Sequence, residues 1–200
     1  MKTAQLLDPR GIPVRKADLK AEISRATVGG VRSPMTGYPA DGMNPSRLAN
    51  ILREADAGDA IRYLELAETI EERDAHYLGV LGTRRRAVSQ MPFTVEAGDD
   101  SPEAEADAET LRAWLKRDEL TDEVFDILDC IGKGYSMTEI LWDTSEGQWM
   151  PTRLEYRDPR WFRFDRIDLK TPLMLDENGV EQPLPAFKFI FAQIKAKSGI

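Results

Sequence analysis

Hydrophobic and polar positions alternate with two different periods along this chain, and the change from one period to the other is sharpest between Leu120 and Arg166. Thr121 is a good N-cap there. Asp122 and Glu123 suit the positive end of a helix, and Leu120 and Phe125 hold the places of a hydrophobic staple. Val124, Ile127, Leu128 and Ile131 recur at helical spacing, and Gly132 supplies a stop. From Tyr135 to Trp142 the period becomes two, with Tyr135, Met137, Glu139 and Leu141 on one face. Asp143–Gln148, with Gly147, reads as a hairpin connection to a second strand, Trp149–Tyr156. A turn at Asp158–Pro159 leads to a third, Trp161–Asp165. A helix on an antiparallel sheet with this many aromatics describes a core, with Trp142, Tyr156, Trp161 and Phe162 in it.

Upstream, Asn44 as N-cap and Pro45 at the first helical position open a helix carrying Leu48, Ile51, Leu52 and Ala55, which Gly58 ends. Asp59 then caps one long helix to about Ser89, with a stripe of Ile61, Leu64, Ala67, Ile70, Tyr77 or Leu78, Leu81 and Val88. Asp74 falls at the edge of that stripe. Gly79 and Gly82, unfavourable in a helix interior, mark a kink or the close approach of another element. Met91–Ala97 alternates as a strand, and Ser101 and Pro102 start a helix anchored by Leu111, Trp114 and Leu115. Downstream, Leu173–Leu175 and Val180–Leu184 flank Asn178–Gly179, a strong hairpin signal, and Lys188–Ile194 alternates again. Residues 1–43 are dense in breakers (Pro9, Gly11, Gly29, Gly30, Pro34, Gly37, Pro39, Gly42), with room for a short helix within Ala17–Ser24. They predict an extended or flexible arm. The fold class that follows is α+β, one domain over 44–200 with helices packed on antiparallel strands.

Composition adds bounds. The chain has 42% hydrophobic and 31% charged residues, enough apolar material for a real core. A net charge of -8 argues against tight wrapping of nucleic acid, whose affinity comes mainly from neutralising phosphates. The one cysteine, Cys130, lies within the apolar helix and reads as a small buried hydrophobe. No apolar stretch approaches the length of a membrane span, and the N-terminus lacks the apolar centre of a signal peptide.

Candidate chemistry is sparse. His76 is the only histidine, so no paired-histidine metal site can form within the chain. Gly132–Ser136 (GKGYS) suggests a phosphate loop, but it follows a helix and precedes a strand, the reverse of what such a loop needs. Asp158, Asp165 and Asp168 sit among arginines and read as ion-pair partners, and DTSEG (143–147) lacks the ligand spacing of a calcium loop. No catalytic residue, cofactor or metal is expected. Two basic groups remain, Arg84, Arg85 and Arg86 on the long helix, and Arg153, Arg157, Arg160, Arg163 and Arg166 among the hairpin aromatics. They are candidates for a subunit interface or a DNA-facing surface, with the second group pointing outward. In a ring assembly, the second group would meet the acidic run Asp99–Glu109 of the next subunit.

The runs GKGYSMTEILWD and LEYRDPRWFRFD, with the earlier block from Leu48 to Val95, resemble the N-terminal part of portal proteins of Mu-like tailed phages and prophages. The resemblance covers Pro45 to the C-terminus and implies a structural, non-catalytic ring subunit at the capsid vertex. By the same resemblance, the ring is a dodecamer that passes double-stranded DNA without sequence specificity and meets terminase, head and connector proteins. The protein would then sit in the virion, and in the host cytoplasm during assembly. This chain would be the peripheral wing, with channel-lining regions lying beyond Ile200. The alternative is a non-catalytic nucleic-acid-binding accessory domain that stacks bases on the Arg/aromatic hairpin.

Overall fold

The computed structural model describes residues 6–32, 40–145 and 149–194. Its central strand is β1, Tyr135–Asp143, buried at every position from Tyr135 to Glu139. A strand buried on both faces must be covered on both, and β1 is. It pairs antiparallel with β2 (Met150–Arg157) on one edge and with β6 (Phe189–Gln193) on the other. A second antiparallel sheet, in the order β3 (Phe162–Phe164), β4 (Pro172–Leu175), β5 (Glu181–Pro183), supplies Phe162 and Met174 to the core beside Tyr135, Met137 and Trp161. Aromatic edges meet aromatic faces at this seam, with Tyr135 and Phe164 centroids 5.0 Å apart and Phe162 and Phe189 5.6 Å apart. Trp161 and Phe162 therefore lie in the main core, whereas Trp142 and Tyr156 are half-buried at its margin. Trp142 donates its indole N–H to the Phe187 carbonyl at 2.7 Å. The α+β class stands.

The helices form where the sequence places good caps. The Asn44 side chain accepts from the Arg47 amide at the start of α2 (Pro45–Asp56), and Ser101 accepts from the Ala104 amide at the start of α5 (Pro102–Trp114). The long helix predicted from Asp59 to Ser89 is two helices, α3 (Ile61–Arg73) and α4 (Ala75–Ser89). Asp74 divides them. Its amide donates to the Ile70 carbonyl and closes α3, while its carboxylate accepts from the Tyr77 amide at 2.9 Å and opens α4. One residue is both stop and cap, which a stripe continuing on both sides conceals.

Further along, α6 (Leu120–Ile127) starts one residue before Thr121, which caps nothing. A short α7 (Cys130–Lys133) follows, and the stop is Gly134, at φ 89°, and not Gly132. Gly132 has a different duty. A Cβ there would come within 3.0 Å of Leu81 Cδ2, so the close approach expected at Gly79 or Gly82 of α4 occurs opposite, at Gly132. Met91–Ala97 joins no sheet, and its Val95 carbonyl accepts instead from the Arg112 guanidinium at 2.9 and 3.1 Å. Asn178–Gly179 does form the β4–β5 turn, with Gly179 at φ 80°. In the β1–β2 connection, residues 146–148, Gly147 among them, lie outside the described residues, as do 33–39 with Pro34, Gly37 and Pro39.

The N-terminal segment departs most from its expectation. Residues 15–32 form a strap seated on the domain: α1 (Lys16–Lys20) buries Leu19 completely, and Ser24 and Arg32 are buried as well. Arg32 donates to the Leu175 carbonyl at 2.7 and 3.1 Å and to the Ile23 carbonyl at 3.0 Å. Breaker density could not register that the backbone of this segment satisfies the Glu139 carboxylate buried on β1.

Candidate functional site: the arginines and the buried ion network

The strap is held by a cluster of charged groups sunk in the interior. Glu139 of β1 is fully buried and accepts from the Ile23 amide at 2.7 Å, the Ser24 amide at 3.2 Å, the Ser24 hydroxyl, and Arg157 Nε at 2.9 Å. Lys188 Nζ, equally buried, lies 3.2 Å from the same carboxylate and donates to the Leu19 and Ile140 carbonyls at 2.7 and 3.0 Å. Arg157 reaches on to Glu22 at 2.7 Å, which also pairs with Arg25. Within the cluster Glu22, Glu139, Arg157 and Lys188 sum to zero charge. A buried charge is tolerated only when paired and hydrogen-bonded in this way. Burial pushes the Glu139 carboxyl up, but the hydrogen bonds from Ser24, Ile23 and Arg157 outweigh it and leave the group below the ordinary carboxylate range. Burial holds the Lys188 ammonium below its ordinary range in spite of Glu139.

A second cluster ties α4 to α6 and α7. Arg85 is buried, donates to the Phe125 carbonyl at 2.8 and 3.0 Å, lies 3.3 Å from Asp129, and places its guanidinium 4.0 Å from the Phe125 ring centroid. Asp129 also accepts from Lys133 and from the Tyr156 hydroxyl, each at 2.9 Å. Burial and this carboxylate together push the Tyr156 phenol far above its ordinary range.

These clusters reassign the arginines that the sequence groups together. Arg85, Arg157 and Arg160 are interior; Arg160 is clamped by Asp158 at 2.9 Å and faces Glu68 at 3.4 Å. Arg163 is half-buried, 3.7 Å from Asp59, and donates to the Phe162 carbonyl at 3.1 Å. Arg153 and Arg166 are exposed, the first paired with Glu155 at 2.5 Å and the second 3.8 Å from Glu181. Arg84 and Arg86 are exposed on α4. The outward row expected from Arg153 to Arg166 is therefore broken: β2 turns Arg157 inward, and the 3-10 turn Pro159–Trp161 tucks Arg160 beneath α3. Arg160, Arg163 and Arg166 do line one cleft of about 390 Å³, where Asp59, Glu65 and Glu181 balance them.

The remaining candidates serve the fold. Lys133 of GKGYS is committed to Asp129, and the Ser136 hydroxyl donates to the Ile127 carbonyl at 2.5 Å. Asp158, Asp165 and Asp168 each accept backbone amides in turns; hydrogen bonds from Thr171 hold the Asp168 carboxyl down at about 2. Asp143 accepts the Ser145 amide and hydroxyl at 2.9 and 2.6 Å. Burial raises the Cys130 thiol. His76 is exposed at the start of α4. Among the described residues no group of three or more His, Cys, Asp or Glu side chains could hold a metal, and no helix is long and apolar enough to cross a membrane. The groups that sequence reasoning missed are Glu22, Glu139 and Lys188. One signal was present: Glu139 shares a strand face with Tyr135 and Met137, where a carboxylate requires buried partners.

Comparison with known proteins gives the chain its family. A family described as the portal protein of Mu bacteriophage matches residues 64–200. The chain is 31% identical, over 98% of its length, to the Mu-like prophage FluMu protein gp29 of Haemophilus influenzae, and covers 38% of that protein. It is 32% identical, over 81% of its length, to the portal protein of Escherichia phage Mu, and covers 32% of it. It thus spans about a third of the length of these relatives. The chain belongs to the family of Mu bacteriophage portal proteins.

Proposed function

We propose that this chain is part of a portal subunit, a structural component of a tailed-phage capsid vertex that assembles into a ring through which DNA enters and leaves the head. The observation that carries the reading is the family match across 64–200, joined to a relative whose own name is portal protein. The chain's charge suits the role. With a net charge of -8 this part of the subunit adds little phosphate attraction to a ring that must let DNA slide past. A dodecameric ring, contacts with terminase, head and connector proteins, and a place in the virion follow from the same reading. No step of it calls for catalysis or a cofactor.

The alternative, a nucleic-acid-binding accessory domain, needs arginines beside exposed aromatics, and it is weakened because Arg157, Arg160, Trp161 and Phe162 are all buried. Deleting the gene from an inducible prophage tests the proposal. Induced cells should accumulate empty heads without packaged DNA, and the intact gene supplied in trans should restore filled particles. Normal yields of DNA-filled, infectious particles from the deletion would refute it.

A further inference from the structure

α4 is apolar on more than the side it packs. Leu81, Gly82, Arg85 and Ser89 face the domain, while Val80, Arg84, Ala87, Val88 and the following Met91 stand on the far side. Three of those are large hydrophobics left open to solvent, with Val80 48%, Val88 43% and Met91 61% exposed. Their spacing of 4, 3, 1 and 3 residues is that of a single helix-contact stripe, and Arg84 sits in the middle of it. Among the described residues Arg84 makes no hydrogen bond or ion pair.

The complementary pattern lies on α5. Glu103 and Asp107, four residues apart on its exposed side, are likewise unpaired among the described residues, and Leu111, 52% exposed, continues their line. The neighbouring Glu105 and Glu109 are already neutralised by Arg112 within the chain. One stripe therefore holds an unpaired cation among apolar side chains, and the other holds unpaired carboxylates ending in an apolar side chain. Both lie on the same chain, where the end of α4 and α5 adjoin one cleft lined by Met91, Glu109 and Arg112, but Arg84 and Asp107 do not pair there.

We propose that the α4 stripe of one copy docks on the α5 stripe of the next, Arg84 meeting Asp107 and Glu103 while Val88 and Met91, one to two turns further along, cover Leu111, one turn beyond Asp107. This rests on the ring reading above and gives it a surface. Two different stripes in contact make a head-to-tail interface, the kind that propagates from copy to copy until a ring closes. The pairing also replaces the one expected from sequence: Arg157 and Arg160 are used inside the chain, so the exposed cation facing a neighbour's acidic helix is Arg84.

Charge exchange tests it on the 200-residue chain. Sedimentation velocity up to millimolar concentration should reveal self-association that weakens as salt rises. R84E alone and D107R alone should each lower the association constant about tenfold, since an attraction becomes a repulsion. The double variant R84E/D107R should recover it, as should an equimolar mixture of the two single variants. Both side chains are exposed and unpaired, so the thermal melts should coincide with wild type and separate an interface effect from misfolding. No association at any concentration, or association indifferent to the exchange, overturns the assignment. Neither outcome bears on the gene-deletion result, by which the portal reading stands or falls separately.

Discussion

Substituting Glu139→Gln tests whether the buried ion network holds the strap in place. The carboxylate receives donors on both oxygens: the Ile23 amide and Lys188 on one, Ser24 and Arg157 on the other. A glutamine must turn its NH2 toward one of these sets, so donors face donors whichever way it lies. Lys188, fully buried, loses its only carboxylate partner among the described residues. Removing one member of a buried pair costs about 3–5 kcal/mol, a large share of the roughly 5–15 kcal/mol available to a domain. Urea denaturation at neutral pH should show that loss, and trypsin should cut after Lys20 and Arg25 in the variant sooner than in wild type. The pH dependence has a definite sign. In wild type the Glu139 carboxyl lies below its unfolded value of 4.5, so its contribution is present above that pH and disappears as pH falls through the folded value. Lys188 lies below 10.5 in the fold, so the unfolded chain holds that proton more tightly and stability rises with pH up to 10.5. Without Glu139 the lysine is depressed further, and the gap between variant and wild type should narrow toward alkaline pH. The double variant E139M/K188M should recover much of the loss, because well-packed apolar groups can replace a buried pair. A variant within about 1 kcal/mol of wild type and equally resistant at Lys20 and Arg25 would refute the reasoning.

Other consequences are simpler. Trp161→Ala should cost about 3–5 kcal/mol by thermal or urea unfolding, because the side chain is buried in the core cluster with Leu64, Tyr135 and Met137. Arg85→Met should cost about 3 kcal/mol, since it leaves the Phe125 carbonyl without its donors and Asp129 with one cation fewer, while Arg84→Met should fall within about 0.5 kcal/mol of wild type. Gly134→Ala, at φ 89°, should destabilise by about 1 kcal/mol, a loss that the same change at Gly79 should match only through helix propensity reversed in sign, as a small gain. Fluorescence anisotropy with single-stranded DNA at low salt should show little binding and no dependence on Arg153 or Arg166; tight, steeply salt-dependent binding would revive the nucleic-acid reading.

Local signals located most of the elements. Asn44–Pro45, Ser101–Pro102 and Asn178–Gly179 mark boundaries that the structure keeps, because each fixes a backbone conformation within two or three residues. The period-two run from Tyr135 did become a strand, the central one. Errors arose where one residue type serves two ends. Asp74 belongs to a helical stripe by spacing, yet as a cap it divides that stripe. Thr121 had the right chemistry for a cap, but a helix already one residue under way has no use for it. Met91–Ala97 alternates like a strand and finds no neighbouring strand among the described residues, so tertiary context overrides the pattern. The arginines were the least legible. Their spacing gives a face only if the element stays a strand, and the 3-10 turn at Pro159–Trp161 rotates Arg160 inward. The strap residues that partner Arg157, Glu139 and Lys188 are more than a hundred residues away, in a segment whose breakers suggested no packed core of its own.

The central claim is that this chain stands at the portal vertex, and immunogold electron microscopy of particles released from cells carrying the gene tests it most directly. With antibody raised against residues 44–194, broken heads should carry label at a single vertex each. Label scattered over the whole capsid, or confined to material that leaves the particles behind, would contradict the account.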